Sequence, residues 1–283
     1  MSATELKALL ATAVAAARGA GGLMRTHLAR VKRVHSATRH DIKLALDVRC
    51  QKLIERRLRR DWPDIAVLGE EGVLGNADAP LRWVVDPIDG TVNFTYGIPH
   101  ACVSIALQRR VSSSEFRVSS SSKRSGFPRL TSHFSQFETV LGVVYDPFMD
   151  ELFTAVRGGA ARLNGRVIRV SARRDLGECI LSMGFAKSTS TVRRGLPFFN
   201  RVIHRVRKIR MMGAAALGVC YVACGRFDSY LESGIKLWDI AAGGFIVERA
   251  GGEFWRQPIA GEHSFEMVAS NATVGRRLRA MEK

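Results

Sequence analysis

Apolar residues recur at helical spacing near the start of the chain. Leu6, Leu9, Leu10, Ala13, Val14 and Ala17 define one face over residues 4–30, the period of an amphipathic helix. From Asp41 to Leu58 the spacing returns through Ile42, Leu46, Cys50, Leu53, Ile54 and Leu58 and predicts a second helix. The pattern then shortens. Apolar runs at 65–68, 81–86, 101–107, 139–145 and 151–156 read as strands, the last two joined by the turn-rich Asp146-Pro147-Phe148-Met149-Asp150. The second half alternates: strand near 179–183, helix near 191–205, strand near 207–211, helix 213–224, strand 228–231, helix 239–250, strand 266–269. Such alternation predicts α/β layering. A chain of 283 residues suffices for a single domain built of two halves, 1–156 and 157–283.

One stretch has almost no period. Residues 111–137 are serine-rich and basic, the composition of a flexible loop. No apolar run approaches the roughly 18 residues of a membrane span. The N-terminus contains Glu5 and lacks a basic start followed by a long apolar stretch, so a cytoplasmic protein without a secretory signal is expected. Five cysteines, Cys50, Cys102, Cys179, Cys220 and Cys224, are scattered without C-x-x-C pairs and read as free thiols.

Charge narrows the partners. The formal net charge is +17, with 14 Lys/Arg against 4 Asp/Glu in residues 1–60 and 8 basic residues with no acidic ones in 185–210. A basic surface steers polyanions or holds nucleic acid. No nucleic-acid motif accompanies either block, and a solvated basic face is the preferred reading.

The chemistry concentrates in Trp83-Val-Val-Asp86-Pro-Ile-Asp89-Gly90-Thr91-Val-Asn-Phe94. An apolar run, expected as a buried strand, ends in two carboxylates three residues apart. Carboxylates crowded at a strand end favour a hard divalent cation. Gly90 and Thr91 begin a turn or short helix whose N–H groups would face the same point and hold phosphate. Upstream, Ile65–Leu68 ends in Gly69-Glu70-Glu71-Gly72. Downstream, Leu237-Trp-Asp239-Ile-Ala-Ala-Gly-Gly244 places one acid at the head of a helix-like run that closes at Gly251-Gly252.

Gly-Glu-Glu, then Asp-Pro-Ile-Asp-Gly-Thr-x-Asn-Phe, then Trp-Asp-x-Ala-Ala-Gly, in that order, resembles the signature of the inositol monophosphatase family. The likeness runs from about Asp41 to Asn271, interrupted by 111–137, which looks like an insertion at a hairpin tip. The resemblance implies a layered αβαβα sandwich of the inositol monophosphatase and fructose-1,6-bisphosphatase type, mixing α/β and α+β character. It also implies Mg²⁺-dependent, lithium-sensitive phosphomonoesterase activity with two or three ions, and a homodimer.

Carried over by motif position, Glu70, Asp86, Asp89 and Asp239 are the implied metal ligands, with the Ile88 carbonyl completing one site. Glu70 and Thr91 are the implied pair handling the attacking water, and Gly90 and Thr91 the phosphate cradle. Asp47, within Asp41-Ile-Lys43-Leu44-Ala-Leu-Asp47, matches an aspartate that reaches a third ion through water; Lys43 and Leu44 replace the usual Val-Thr. Glu232 and Asp89 are the implied acceptors for substrate hydroxyls, beside Gly213, Ala214 and Ala215, where Ala214 lacks the family's hydroxyl. Asp228 reads as a turn brace, and His100, after Pro99, as a structural residue near the site.

The substrate implied is a small polyol or sugar phosphate, foremost inositol monophosphate. Histidinol phosphate, fructose bisphosphate and 3′-phosphoadenosine nucleotides remain open, because fold and metal motifs do not choose among them. The competing class is a protein binding RNA or a transcription complex on the same fold.

Overall fold

Helix α1 (Ala3–His27) starts where the sequence supplies a cap. Ser2 Oγ accepts the Glu5 N–H at 3.1 Å, and the Glu5 carboxylate accepts the Ser2 N–H at 3.3 Å, a capping box that satisfies two otherwise orphaned donors. The computed structural model describes residues 1–37, 42–76, 79–111, 137–185 and 189–281. Leu9, Ala13, Ala16, Ala20 and Met24 form the buried stripe of α1, which lies against α2 (Ala45–Asp61) and the large sheet. By length and composition alone α1 is long and apolar enough to cross a membrane, although its apolar stripe is buried against the rest of the fold. This corrects the expectation that no run reaches span length, since its alanine-rich middle carries few charges.

The second helix begins four residues later than its periodicity predicts. Asp47 Oδ2 accepts the Leu44 N–H at 2.7 Å, and a carboxylate in the first turn that caps its own helix fixes the start. Residues Ile42–Leu44 instead form strand β2, antiparallel to β1 (Val34–Ala37). Ile42 matched the helical spacing by coincidence of period.

Eight strands make the large sheet: β3 (Ala66–Gly69), β4 (Gly72–Leu74), β5 (Leu81–Asp89), β6 (Cys102–Arg110), β7 (Phe137–Asp146), β8 (Glu151–Val156), β9 (Arg162–Leu163) and β10 (Arg166–Val167). Their order is β10-β9-β8-β7-β6-β5-β3-β4. The smaller sheet has order β12-β11-β13-β15-β14, from β11 (Ile180–Met183), β12 (Lys208–Arg210), β13 (Ser229–Lys236), β14 (Glu253–Pro258) and β15 (Ser264–Ser270). Strand β14 was not foreseen: it is an edge strand, half-buried to exposed throughout, so it lacks clean alternation.

Side-chain alternation decides which layers touch. Trp83 and Val85 of β5, with Val103 and Ile105 of β6, face α1 and α2. Val84 and Ala106 face the other way, towards α5 (Ala215–Ala223) and α6 (Leu237–Arg249). These two helices are sandwiched between the sheets. Beyond the small sheet, Val202 of α4 (Thr189–Val202) and Val274 and Leu278 of α7 (Ala272–Ala280) complete an outer core with Leu181 and Val268. The result is the expected αβαβα layering.

Close packing at the centre depends on Gly142 of β7. A Cβ there would come within 2.8 Å of the Ala242 carbonyl oxygen of α6. The serine-rich stretch expected as a loop falls almost wholly outside the described residues. Its ends are neighbours, since Arg110 pairs with Phe137 across β6 and β7.

Candidate metal and phosphate site

Residues three apart on an unbroken strand point to opposite faces, so Asp86 and Asp89 would diverge. The structure breaks the ladder between them. Asp86 pairs with Ser104 and Asp89 with Cys102, three steps on β5 against two on β6. The additional residue makes a bulge, and Pro87 has no N–H to lose from the ladder. Asp86 Oδ1 accepts the Ile88 N–H at 2.9 Å and holds the bulge in place.

Asp239 arrives from the first turn of α6. Ser104, cross-strand partner of Asp86, donates to the Trp238 carbonyl at 2.9 Å. The Asp239 carboxylate accepts the Lys236 N–H at 2.9 Å. Asp86, Asp89 and Asp239 each bring a carboxylate oxygen within 4.8 Å of the other two; the first two are buried and the third half-buried. Glu70 follows β3, whose parallel pairing of Gly69 with Val85 sets it beside Asp86. Its N–H donates to Val85 O at 3.1 Å, and Gln51 Oε1 accepts the next N–H, of Glu71, at 2.9 Å. Glu70 stands outside the close trio, yet its charge is felt by both Asp86 and Asp89.

Crowding shows in the acidities. Burial, then the charges of Glu70, Asp239 and Asp89, push Asp86 well above the usual carboxylate range. Burial pushes Asp89 up to about 6, against the opposing pull of the Ala216 and Ala215 N–H groups. Acids that raise one another's proton affinity are relieved by a cation, and an all-oxygen donor set suits Mg²⁺. The residues present therefore fit the ion the family implies.

Asp89 also ties two elements together. Its oxygens accept the Ala215 and Ala216 N–H groups at 3.1 and 2.8 Å, at the start of α5, where Ala214 offers no capping side chain. The Cys102 thiol adds a weaker contact at 3.5 Å. The Ala215 N–H is thus engaged by Asp89.

The turn after β5 needs glycine. Gly90 has φ of +89°, and a Cβ there would meet the His100 carbonyl at 2.9 Å. Helix α3 (Thr91–Thr95) follows. Thr91 Oγ1 donates to Ile88 O at 2.8 Å, leaving that carbonyl a second lone pair. Asn93 Nδ2 donates to His100 O at 2.9 Å and Met212 O at 2.8 Å, clamping this turn to the segment carrying Gly213 and Ala214. Buried Ala214 sits directly against Gly90.

Glu232 accepts from the Tyr230 hydroxyl. The Tyr230 phenol is pushed well up by burial and by Glu232, and it feels Asp89 and Asp239 as well, so Glu232 borders the acidic cluster. Asp47 is buried as the cap of α2 and lies outside the close trio. Asp228 braces its turn as expected: fully buried, it accepts the Ile180 N–H at 2.8 Å and Arg173 Nη1 at 3.1 Å. His100 packs edge-on to Tyr221 at 6.1 Å, and burial lowers its pKa. The five cysteines are free thiols, four of them buried.

Sequence reasoning passed over Asn93, Ser104, Cys102 and Gln51. Asn93 lay inside the quoted motif and was open to notice. The other three act through partners on other elements, cross-strand, strand to helix or helix to turn, that no local spacing reveals.

The sequence profile of the inositol monophosphatase family matches residues 5–112 and 134–273, skipping most of the serine-rich stretch. The chain is 36% identical over 277 residues to a Xylella fastidiosa protein named Nus factor SuhB, covering 94% of this chain and 91% of that one. Inositol monophosphatase 1 of Solanum lycopersicum is 35% identical over 255 residues, covering 88% and 84%. The crystal structure of the extragenic suppressor protein SuhB from Bartonella henselae superposes with a TM-score of 0.82 at 33% identity, covering 98% of this chain and 99% of that one. Fold, ordered motifs and relatives agree: the chain belongs to the inositol monophosphatase family.

Proposed function

We propose that the protein hydrolyses a small polyol or sugar phosphate monoester, most readily inositol monophosphate, in a Mg²⁺-dependent reaction. The observation that carries this reading is the convergence of Asp86, Asp89 and Asp239 from a bulged strand and a helix start. Two or three Mg²⁺ ions, when bound, supply charge neutralisation and an activated water for in-line attack on phosphorus. Glu70, Asp86, Asp89, Asp239 and the Ile88 carbonyl would hold them, with Asp47 reaching the third through water. Glu70 takes the proton of the attacking water, with Thr91 Oγ1 orienting it. Gly90 and Thr91 N–H groups hold phosphate oxygens. Glu232, beside Gly213, Ala214 and Ala215, accepts hydrogen bonds from ring hydroxyls of the leaving alcohol.

The test is phosphate release from inositol monophosphate, histidinol phosphate, fructose 1,6-bisphosphate and 3′-phosphoadenosine 5′-phosphate, with and without Mg²⁺. Release from inositol monophosphate only with Mg²⁺ is expected, blocked by Asp239→Asn and inhibited by Li⁺. No turnover of any member rejects the reading. Lithium sensitivity, a homodimer and a cytoplasmic setting are carried over from the family as part of the same proposal.

A second reading draws on the relatives named Nus factor and on the basic blocks at 1–60 and 185–210. On this reading the surface contacts RNA or a transcription complex. A titration with single-stranded RNA at rising salt decides it: binding that is absent even at low salt removes it.

A further inference from the structure

Strand β13 offers alternate side chains to two different layers. Leu231 joins the outer core with Leu181 and Val268, whereas Tyr230 joins the inner one with Ala216 and Leu217 of α5. Glu232, two residues from Tyr230, stands on the same face of the strand. That face looks towards the helix whose start Asp89 holds through the Ala215 and Ala216 N–H groups.

Tyr230 is 5% exposed, and a phenol so deeply buried requires a hydrogen-bond partner. Its hydroxyl donates to Glu232 Oε2, a charge-assisted bond. Burial and the Glu232 charge push the phenol well above its ordinary range, so it stays a donor at neutral pH. Two glycines make room for this pair. On α5, a Cβ at Gly218 would lie 3.1 Å from the Tyr230 ring, and the Gly218 N–H donates to Ala214 O at 3.0 Å in the first turn. At the end of β11, the Gly184 N–H donates to Leu231 O at 3.0 Å, which sets Gly184 beside Glu232. A Cβ on Gly184 would collide with the Glu232 carboxylate. The carboxylate is therefore seated between the Tyr230 hydroxyl and bare backbone. A glutamate that moves freely loses rotamer freedom when it engages a ligand. One already seated does not, and binding is tighter for it.

We propose that Tyr230 is a positioning residue for recognition of the leaving alcohol: its hydroxyl holds Glu232 in the orientation that receives substrate hydroxyls, and Gly184 leaves the space that orientation needs. The inference rests on the reading of Glu232 as an acceptor in a phosphomonoesterase. Steady-state hydrolysis of inositol monophosphate and of 4-nitrophenyl phosphate, whose leaving group carries no further hydroxyl, tests it. In Tyr230→Phe, KM for inositol monophosphate should rise about tenfold, the loss of one charge-assisted hydrogen bond. Its kcat should be kept, the mark of binding lost equally from ground and transition states. Both parameters for 4-nitrophenyl phosphate should stay as in the wild type. Gly184→Ala should give the same split, because it displaces Glu232 while leaving the Tyr230 side chain intact. An unchanged KM for inositol monophosphate in Tyr230→Phe, or equal losses on the two esters, overturns the inference and leaves the phosphatase reading standing. Wild-type cleavage of the aryl ester alone overturns it as well, and cleavage of neither ester overturns both. Should Tyr230→Phe fail to fold, Gly184→Ala carries the test, judged by the same split.

Discussion

Without a cation, Asp86 and Asp89 hold protons more tightly in the folded chain than in the unfolded one. A carboxylate whose folded pKa is raised contributes stability at low pH, lost as pH climbs from the unfolded value near ~4 through the folded one. For Asp89 that window closes at about 6. The metal-free protein should therefore lose this contribution between about pH 4 and 6, and bound Mg²⁺ should restore it by neutralising the same charges. The increase in Tm on adding saturating Mg²⁺ is expected to be larger at pH 7.5 than at pH 5; an equal increase at both would contradict the account. Ser104 offers a second test. Ser104→Ala removes the bond to Trp238 O that sets Asp239 opposite Asp86, and an outer-shell loss of this kind typically weakens metal affinity ~10–100-fold. Fluorescence or calorimetric Mg²⁺ titration reads it, and an unchanged affinity would remove Ser104 from the positioning role. At this scale Asp86 and Asp89 were legible because they share one short motif. Ser104 was not, because its importance comes from a partner 134 positions away.

Elements were legible where one periodicity ruled and illegible where a single polar contact overrode it. The helices and central strands emerged from apolar spacing, whereas the start of α2 is set by Asp47 bonding Leu44. The bulge in β5 was equally hidden. Nothing in Asp-Pro-Ile-Asp announces that three residues will face two, yet this irregularity brings both acids to one place. Strand β14 escaped because an edge strand need not alternate. Packing between elements yields its own test. Gly142→Ala would press a methyl group against the Ala242 carbonyl, at 2.8 Å before adjustment. Overpacking of this kind costs ~1–3 kcal/mol, to be read as a lower denaturant midpoint. Because α6 carries Asp239, the same variant should also need more Mg²⁺. Wild-type stability would show that α6 can retreat without penalty.

For the whole molecule, family membership accounts for the layers but not for residues 112–136. The family profile passes over most of them, while β6 and β7 pair from Val103–Tyr145 to Arg110–Phe137. Bridging Arg110 to Phe137 with a short Asn-Gly turn should preserve both Tm and Mg²⁺-dependent phosphate release, since hairpin length changes loop entropy only weakly. A collapse in Tm would show that the stretch has become integral to the fold.

Helix α6 touches β5, β6, β7 and β8 on one side and β13, β14 and β15 on the other. Neither sheet can shed its inner layer while the other keeps it. Backbone amides of α6 should accordingly exchange with deuterium through whole-molecule opening and be the slowest to do so. An ion held by Asp239 would slow exchange in both sheets alike, so that occupancy of a site a few ångströms across is reported by protection throughout the chain.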